Sequence, residues 1–391
     1  MEIKKIIDNR FLQIIFSTLK SLSPALVNVI LSIIVIRYYS EDLWGKYSEQ
    51  LLLINLLLMF ASWSNKEYLL REFSIKPAQL KTIFWNVFFT RALFILPIIL
   101  SVLIYSTESE VVVPATLLLL LKFLNNSFDP LYSYYKKFLP AFIIDLITSF
   151  ISLLLIYYFY LKLNLMWLCW IIAIIEFIKI IWYSFVFKKE ILFPTKISVD
   201  FNYFLRATPI FIIGIISFMQ SKIDQFMVNY FLSDSEKAIY QVVTNLLLLL
   251  MAIPSYLTVP FMKNIYRMNN NALNKVAKKI IVLGCIISPI GVLCLSVVLS
   301  YVYRINLRTI DFILSVLYVL PVFYYSFKFY LIYKIHNDMK VTSIILAGFI
   351  LNTVAGFFLI PNYGISGGLC SATIGQWGIM ILLYLSELKR K

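Results

Sequence analysis

The chain has little of what soluble proteins and metalloenzymes use. Of its 391 residues, 14% are charged, against about 25% in a soluble domain, while 61% are hydrophobic and 17% aromatic. One His, His336, argues against a metal or His-based catalytic centre, and 11 Gly and 13 Pro are too few for a low-complexity chain. The four Cys show no CxxC spacing, and apolar neighbours predict buried thiols rather than metal ligands or disulfides. They are Cys169, Cys285, Cys294 and Cys370.

Motifs for nucleotide and zinc chemistry are missing as well. The Gly45–Lys46 pair in WGKYS lies outside any GxxxxGK[ST] frame, and no HExxH occurs. The polar gaps between apolar segments are too short to hold a folded catalytic domain. We therefore predict that the chain is not an enzyme and needs no cofactor, so any energy it uses comes from a gradient, a partner or the concentration difference of its own substrate.

Long apolar segments fill almost the entire chain, and the mean hydropathy is +0.85. A bilayer core requires about 20 mostly apolar residues per helix. The pattern predicts an all-α polytopic membrane protein with about twelve transmembrane helices. We place them near residues 13–36, 47–64, 82–105, 111–128, 140–161, 164–187, 205–231, 238–261, 277–301, 309–333, 340–360 and 366–387.

Basic residues alternate between the gaps. Most Lys and Arg fall in every second gap, starting before the first helix and ending after the last. The positive-inside rule then predicts an even number of spans with both termini in the cytoplasm. Contacts with anionic membrane lipids explain the net charge of +15, so a nucleic-acid partner is not expected. The opposite gaps hold only Arg37, Lys46, Lys162, Lys237, Arg304 and Arg308.

A weak internal repeat indicates two halves. Residues 35–58, VIRYYSEDLWGKYSEQLLLINLLL, are similar to residues 227–250, MVNYFLSDSEKAIYQVVTNLLLLL. Both read as an apolar helix, an aromatic pair, an acidic turn and a Leu-rich helix. Parallel repeats are common in transporters, so we predict two six-helix bundles, 1–195 and 196–391. The alternative is that any two helix–turn–helix units share this pattern.

Charges within the predicted helices are the candidate functional residues. An ionisable group in a bilayer is costly and usually faces a bundle interior or a wet cavity. Five bases against two acids predict a net cationic cavity, which attracts anionic and phosphate-bearing substrates. The predicted substrate-binding residues are Arg91, Lys122, Lys179, Lys222 and Lys328, and the predicted ion-coupling residues are Asp224 and Glu176.

Simpler explanations exist for several of these charges. Glu176 and Lys179 are three residues apart and could pair with each other on one helix face. Lys328 could extend its ammonium group to the inner membrane surface. Lys122 lies too near the middle of its helix to do the same cheaply, which favours a cavity-lining position.

Three stretches carry a family resemblance: IRYYSEDLWGKYS (36–48), DQFMVNYFLSDSEKAIYQ (224–241) and ILNTVAGFFLIPNYGISGGLCSATIG (350–375). They resemble polysaccharide-repeat-unit flippases of the Wzx type, in the multidrug/oligosaccharidyl-lipid/polysaccharide exporter (MOP) superfamily. Asp224 matches the helix-seven Asp of that family, whereas Ala238 stands where the family often has Gly. The predicted twelve helices argue against the lipid II flippase branch, which has fourteen.

The resemblance implies a V-shaped pair of six-helix bundles that works by alternating access. The implied cargo is an undecaprenyl-diphosphate-linked oligosaccharide, an O-antigen or related repeat unit for lipopolysaccharide biosynthesis. It would cross from the inner to the outer leaflet of the bacterial inner membrane. H⁺ or Na⁺ is the implied coupling ion, and a polysaccharide polymerase and a chain-length regulator are the candidate protein partners.

Other functions stay open at the level of sequence. One alternative is a multidrug or organic-cation antiporter of the same superfamily. Such antiporters share an acidic residue within helix one. Residues 17–36 here contain one Lys and no acid. A membrane polysaccharide polymerase or glycosyltransferase would need a larger outer loop than these gaps provide. A membrane scaffold without transport activity is the remaining alternative.

Overall fold

The computed structural model describes residues 2–105, 109–159, 162–191, 198–258, 270–334 and 338–388, and within these ranges every regular element is a helix. The all-α prediction is confirmed. The first half contains α1 (Glu2–Tyr38), α2 (Glu41–Ser62), α3 (Asn65–Ile75), α4 (Leu80–Tyr105), α5 (Ser109–Asn126), α6 (Asp129–Tyr134), α7 (Phe138–Tyr158) and α8 (Leu165–Val186). The second half contains α9 (Asn202–Phe231), α10 (Asp234–Met251), α11 (Ile253–Thr258), α12 (Asn270–Val298), α13 (Thr309–Lys334) and α14 (Asp338–Leu388).

Membrane-length helices dominate this list. Ten stretches among the described residues are long and apolar enough to cross a bilayer, which makes the chain a multi-pass membrane protein. The last stretch, Met339–Ser386, contains two helices that meet at Gly364, where the backbone has φ 58° and ψ −131°. Helix α2 is long but is not among the ten, because its first half is polar. The short helices α3 and α6 were not predicted, since neither is long enough to span a membrane.

Local sequence sets several helix starts. The Asn164 side chain accepts a hydrogen bond from the Trp167 backbone N–H at 2.9 Å and caps α8. Ser233 and Glu236 form a capping box at the start of α10, and the Ser233 N–H donates to Glu236 Oε2 at 3.1 Å. These caps satisfy N–H groups that have no partner within the helix.

Contacts within the chain define two compact units. Unit 1 comprises Met1–Leu31 and Gln50–Gly214, and unit 2 comprises Ser32–Glu49 and Ile215–Lys391. Helices α1, α2 and α9 therefore contribute to both units. The division into two six-helix bundles at residue 195 stays a prediction.

The core of unit 1 is aromatic. Helix α8 packs against α5 and α7, and α3 packs against α4 and α6. Aromatic rings fill the space because α3, α4 and α8 all present them to the interior. The buried aromatic residues of this core are Tyr68, Phe73, Phe84, Phe128, Tyr132, Tyr183, Phe187 and Tyr203.

In unit 2, α13 packs against α12 and α14, and α10 contacts all three. The α1–α2 turn also belongs to this unit and packs on the start of α10. A Cβ at Gly45 would lie 2.0 Å from the backbone oxygen of Asp234, so the approach requires glycine. Trp44 Nε1 donates to Gln241 Oε1 at 2.5 Å. The acidic turns of the two repeat stretches thus contact each other within unit 2.

Candidate functional site

A buried carboxylate joins three helices of unit 1. Asp145 on α7 is 2% exposed, and its Oδ2 lies 2.6 Å from Lys20 Nζ on α1. The Ser23 hydroxyl donates to the same oxygen at 2.5 Å. Asp145 Oδ1 lies 3.2 Å from Lys179 Nζ on α8. Buried charges are retained when they are paired and hydrogen-bonded. Asp145 therefore holds the ammonium groups of Lys20 and Lys179 inside the helix bundle, and these three residues form a triad.

A second pair of contacts extends the triad across unit 1. Asn125 Nδ2 on α5 donates to Glu176 Oε2 at 2.5 Å. Lys122 Nζ, one turn before Asn125, lies 3.5 Å from Asn55 Oδ1 on α2. Glu176 therefore uses Asn125 as a donor, and Lys179 pairs with Asp145 rather than only with its helix neighbour.

These residues form one group, the unit 1 charge cluster. It comprises Lys20, Lys122, Lys179, Asp145 and Glu176, three ammonium groups against two carboxylates. Sequence reasoning counted only Glu176 and Asp224 as embedded acids, so Asp145 corrects that count. Lys20 is a further embedded base, since it lies within the first candidate span, Ile15–Tyr38.

Arg91 is placed differently from the cluster. Its side chain is 1% exposed, and Nη2 donates to Ser127 Oγ at 2.9 Å. The guanidinium carbon lies 5.0 Å from the centroid of the Phe123 ring. Nε and Nη1 have no hydrogen-bond partner. A role in binding the cargo stays a prediction and requires the guanidinium to become accessible.

Unit 2 contains its own buried acid. Asp224 on α9 is 1% exposed and accepts a hydrogen bond from the Tyr240 hydroxyl at 2.5 Å. Gln225 Nε2 donates to Thr244 Oγ1 at 2.8 Å, and Lys222 Nζ donates to Gln225 Oε1 at 3.2 Å. Lys222 and Asp224 are thus parts of one polar stretch of α9.

Buried amides with open hydrogen-bonding capacity lie in the same unit. Neither side-chain atom of Gln220 has a partner, and Asn352 Oδ1 has none. A Cβ at Gly375 would lie 2.9 Å from Asn352 Cβ and 3.2 Å from Gln220 Nε2, which places the two amides around one point. Gln220 is one helical turn from Asp224. The combination of an acid and unpaired amides suits a proton or a small cation.

Lys328 lies on α13, and its ammonium group is 5.8 Å from the centroid of the Tyr324 ring. Both the cavity-lining and the snorkelling interpretations of Lys328 remain open.

One segment fits a hydrolase pattern, but its structure differs from a hydrolase site. Residues 364–368, GISGG, match GxSxG. They lie inside α14, whereas a nucleophile elbow joins a strand to a helix. Ser366 donates its hydroxyl proton to Asp311, and the chain has one His. Within the described residues, no group of three His, Cys, Asp or Glu side chains could hold a metal ion.

No known family model and no curated protein matches the sequence. Solved structures do match. Lipid II flippase MurJ, in an inward closed conformation, has a TM-score of 0.68 at 15% identity over 96% of this chain and 87% of its own. An inward-facing MATE family multidrug resistance transporter of the MOP superfamily has a TM-score of 0.66 at 9% identity over 95% and 94%. The eukaryotic MATE transporter AtDTX14 has a TM-score of 0.57 at 13% identity over 97% and 96%.

The chain shares its overall fold with these solved structures. A lipid II flippase and multidrug transporters share this fold. A shared fold does not fix a function, which depends on the particular side chains of the site.

Proposed function

We propose that this chain is a flippase for undecaprenyl-diphosphate-linked oligosaccharides, such as O-antigen or other polysaccharide repeat units, in the bacterial inner membrane. The unit 1 charge cluster carries this proposal. Its ammonium groups outnumber its carboxylates, and a low-dielectric setting strengthens their attraction for a diphosphate. The same excess would repel an organic cation.

Lys122 is the group best suited to meet the diphosphate first. Among the described residues it forms no ion pair, and its ammonium group lies 3.5 Å from the neutral Asn55 oxygen. Lys20 and Lys179 share the single carboxylate of Asp145, so this trio keeps one net positive charge in place before any cargo binds. The diphosphate head would enter from the side of the Lys-rich gaps, while the polyprenyl tail stays in lipid.

Asp224 in unit 2 is the proposed carrier of the coupling ion. An intramembrane acid beside unpaired amides can exchange a proton or bind Na⁺ during the return step of alternating access. Glu176 is the second candidate for this role. Its hydrogen bond from Asn125 links it to the helix that carries Lys122.

The rival function is a multidrug or cation antiporter with the same fold. Residues 15–36 of α1 contain a single ionisable side chain, Lys20, and it is basic. Lys20 and Lys179 both pair with Asp145, so that carboxylate is already neutralised and offers little to a cationic drug. These contacts favour the anionic cargo.

Deleting the gene should block surface polysaccharide production and leave single repeat units on undecaprenyl diphosphate inside the cell. Mass spectrometry of extracted lipid-linked oligosaccharides, together with staining of surface polymer, measures both effects. Complementation with the wild-type chain should reverse them. Unchanged lipid-linked pools and normal surface polymer, in a strain with no second flippase gene, would refute the proposal and favour drug-efflux assays.

A further inference from the structure

A pocket of about 370 Å³ lies within unit 1, where α2 ends and α3 begins. Its other walls come from the end of α5, from the start of α6 and from residues 210–214 of α9. The volume exceeds what a bare ion needs and falls at the lower end of the range for small-molecule pockets, about 300–1,000 Å³. No member of the unit 1 charge cluster lines it, although Asp129 in its lining lies within electrostatic reach of Lys20 and Lys179.

Two polar side chains in this pocket lack partners. Asn65 is 2% exposed, and neither its Nδ2 nor its Oδ1 forms a hydrogen bond. Ser62 Oγ is also buried without a partner. A buried polar group without a hydrogen-bond partner is unfavourable, and a ligand that supplies the missing partner relieves this cost. The Asn65 side chain has an NH₂ group that donates and a carbonyl oxygen that accepts. A hydroxyl group of a ligand can accept from the first and donate to the second.

An unusual backbone turn places these groups together. Trp63 and Ser64 have left-handed φ values of 41° and 54°, although neither is glycine. The Tyr203 hydroxyl donates to the Trp63 backbone oxygen at 2.7 Å, and the Trp63 ring stacks on Phe211 with centroids 4.0 Å apart. Such strain persists only where the surroundings enforce it, and it is frequent at ligand sites. The turn puts Ser62 and Asn65 on one pocket wall.

The remaining lining defines the chemistry of the ligand. The lining contains one base, Lys66, and two acids, Glu67 and Asp129, so the pocket has no excess positive charge and does not suit a diphosphate. Asn126 adds a second amide, and the carboxylates accept hydrogen bonds from hydroxyl groups. Phe211 and the aliphatic side chains of Met59, Ile210 and Ile213 supply the apolar part of the lining.

We propose that this pocket binds a sugar residue of the lipid-linked cargo. Asn65 and Ser62 would bind its hydroxyl groups, Asp129 would accept a further hydroxyl, and Phe211 would cover the apolar face of the ring. The inference rests on the flippase function proposed above and adds a site that selects among sugars. The pocket lies beside the Lys-rich gap after α2, the side from which the head group would load.

A titration with free oligosaccharide tests the site. The probe is the repeat-unit oligosaccharide released by mild acid from the lipid-linked pool of the host, added to the purified full-length protein in detergent. Wild-type protein should bind it, and Asn65→Leu should bind it at least tenfold more weakly, because about 1.4 kcal/mol lies within the range for lost hydrogen bonds. Thr116→Val is the matched control, since Thr116 Oγ1 is also buried without a partner but lies outside the pocket.

A second variant addresses the case in which Asn65→Leu fails to fold. A Cβ at Gly214 would meet the flexible end of Met59 at 3.2 Å and Ser64 Oγ at 4.0 Å, so Gly214→Leu adds apolar volume to the pocket from α9. It should also weaken binding at least tenfold, with Gly214→Ala intermediate. Wild-type protein that does not bind, or equal binding by Gly214→Leu, would overturn the sugar site. The gene-deletion experiment separates this outcome from a failure of the proposed function. If the deletion strain accumulates lipid-linked repeat units, the flippase function stands even without the sugar site. If its lipid-linked pools are unchanged, the flippase function itself is overturned.

Discussion

Replacing Asp145 with Ala should abolish polysaccharide export and lower the free energy of unfolding by about 3–5 kcal/mol, the usual cost of removing one partner from a buried ion pair. The variant leaves Lys20 and Lys179 charged, with no carboxylate between them. Thermal unfolding of the purified protein in detergent measures the stability, and surface polymer in the complemented deletion strain measures the export.

A triple variant separates structural support from function. Lys20→Met, Asp145→Leu and Lys179→Met together remove all three charges, and apolar replacement of a buried ionic cluster is often neutral or stabilising. We expect the triple variant to unfold near the wild-type temperature and still fail to export, because two of the cationic groups are gone. Wild-type export by this triple variant at equal membrane levels would contradict a functional role for the triad.

Asp224→Asn should lower export at least about tenfold, within the 5–150-fold range typical of coupling between sites. Whatever export remains should no longer respond to the ion gradient, because an amide neither exchanges a proton nor supplies a charge to Na⁺. Initial export rates with and without a protonophore or a Na⁺ ionophore measure this dependence.

Asp311→Asn provides a matched control for Asp224→Asn. Asp311 is also a buried acid of unit 2 and lies at the start of α13. It accepts hydrogen bonds from the Arg308 backbone N–H and from the Ser366 hydroxyl of α14. An Asn side chain keeps one oxygen that accepts from the Arg308 N–H and gains an amide N–H that donates to the Ser366 hydroxyl oxygen, so export and its ionophore sensitivity should be retained. If Asp224→Asn exports normally and stays sensitive to the ionophore, Asp224 is not the coupling residue.

The sequence predicts the long helices because each needs only a continuous apolar run. The predicted span 205–231 differs from α9 by three residues at its start. Helix α3 could not be found in this way, since NKEYLLREFSI is short and charged and depends on packing against α4 and α6. The left-handed turn at Trp63 and Ser64, which separates α3 from α2, has no glycine or proline to signal it.

The candidate site was predictable only in part. An ionisable residue within a long apolar segment is visible in the sequence as a candidate functional residue. This criterion identified Lys122, Glu176 and Lys179. It applies equally to Asp145 in AFIIDLITSF, so that residue was missed although its signal was present. Its pairing with Lys20 joins residues 125 positions apart, and only the packing of α1 against α7 determines such a contact. The pocket at Asn65 likewise arises from four separate segments.

Lipid translocation in a purified system tests the central claim most directly. Proteoliposomes would contain the purified protein and a fluorescently labelled undecaprenyl-diphosphate oligosaccharide, and a membrane-impermeant quencher would report its leaflet. The account predicts protein-dependent movement between leaflets that is lost in Lys122→Ala and retained in Lys162→Ala, whose lysine lies in a gap outside the charge cluster. Absence of lipid movement, together with gradient-driven uptake of an organic cation dye, would contradict it.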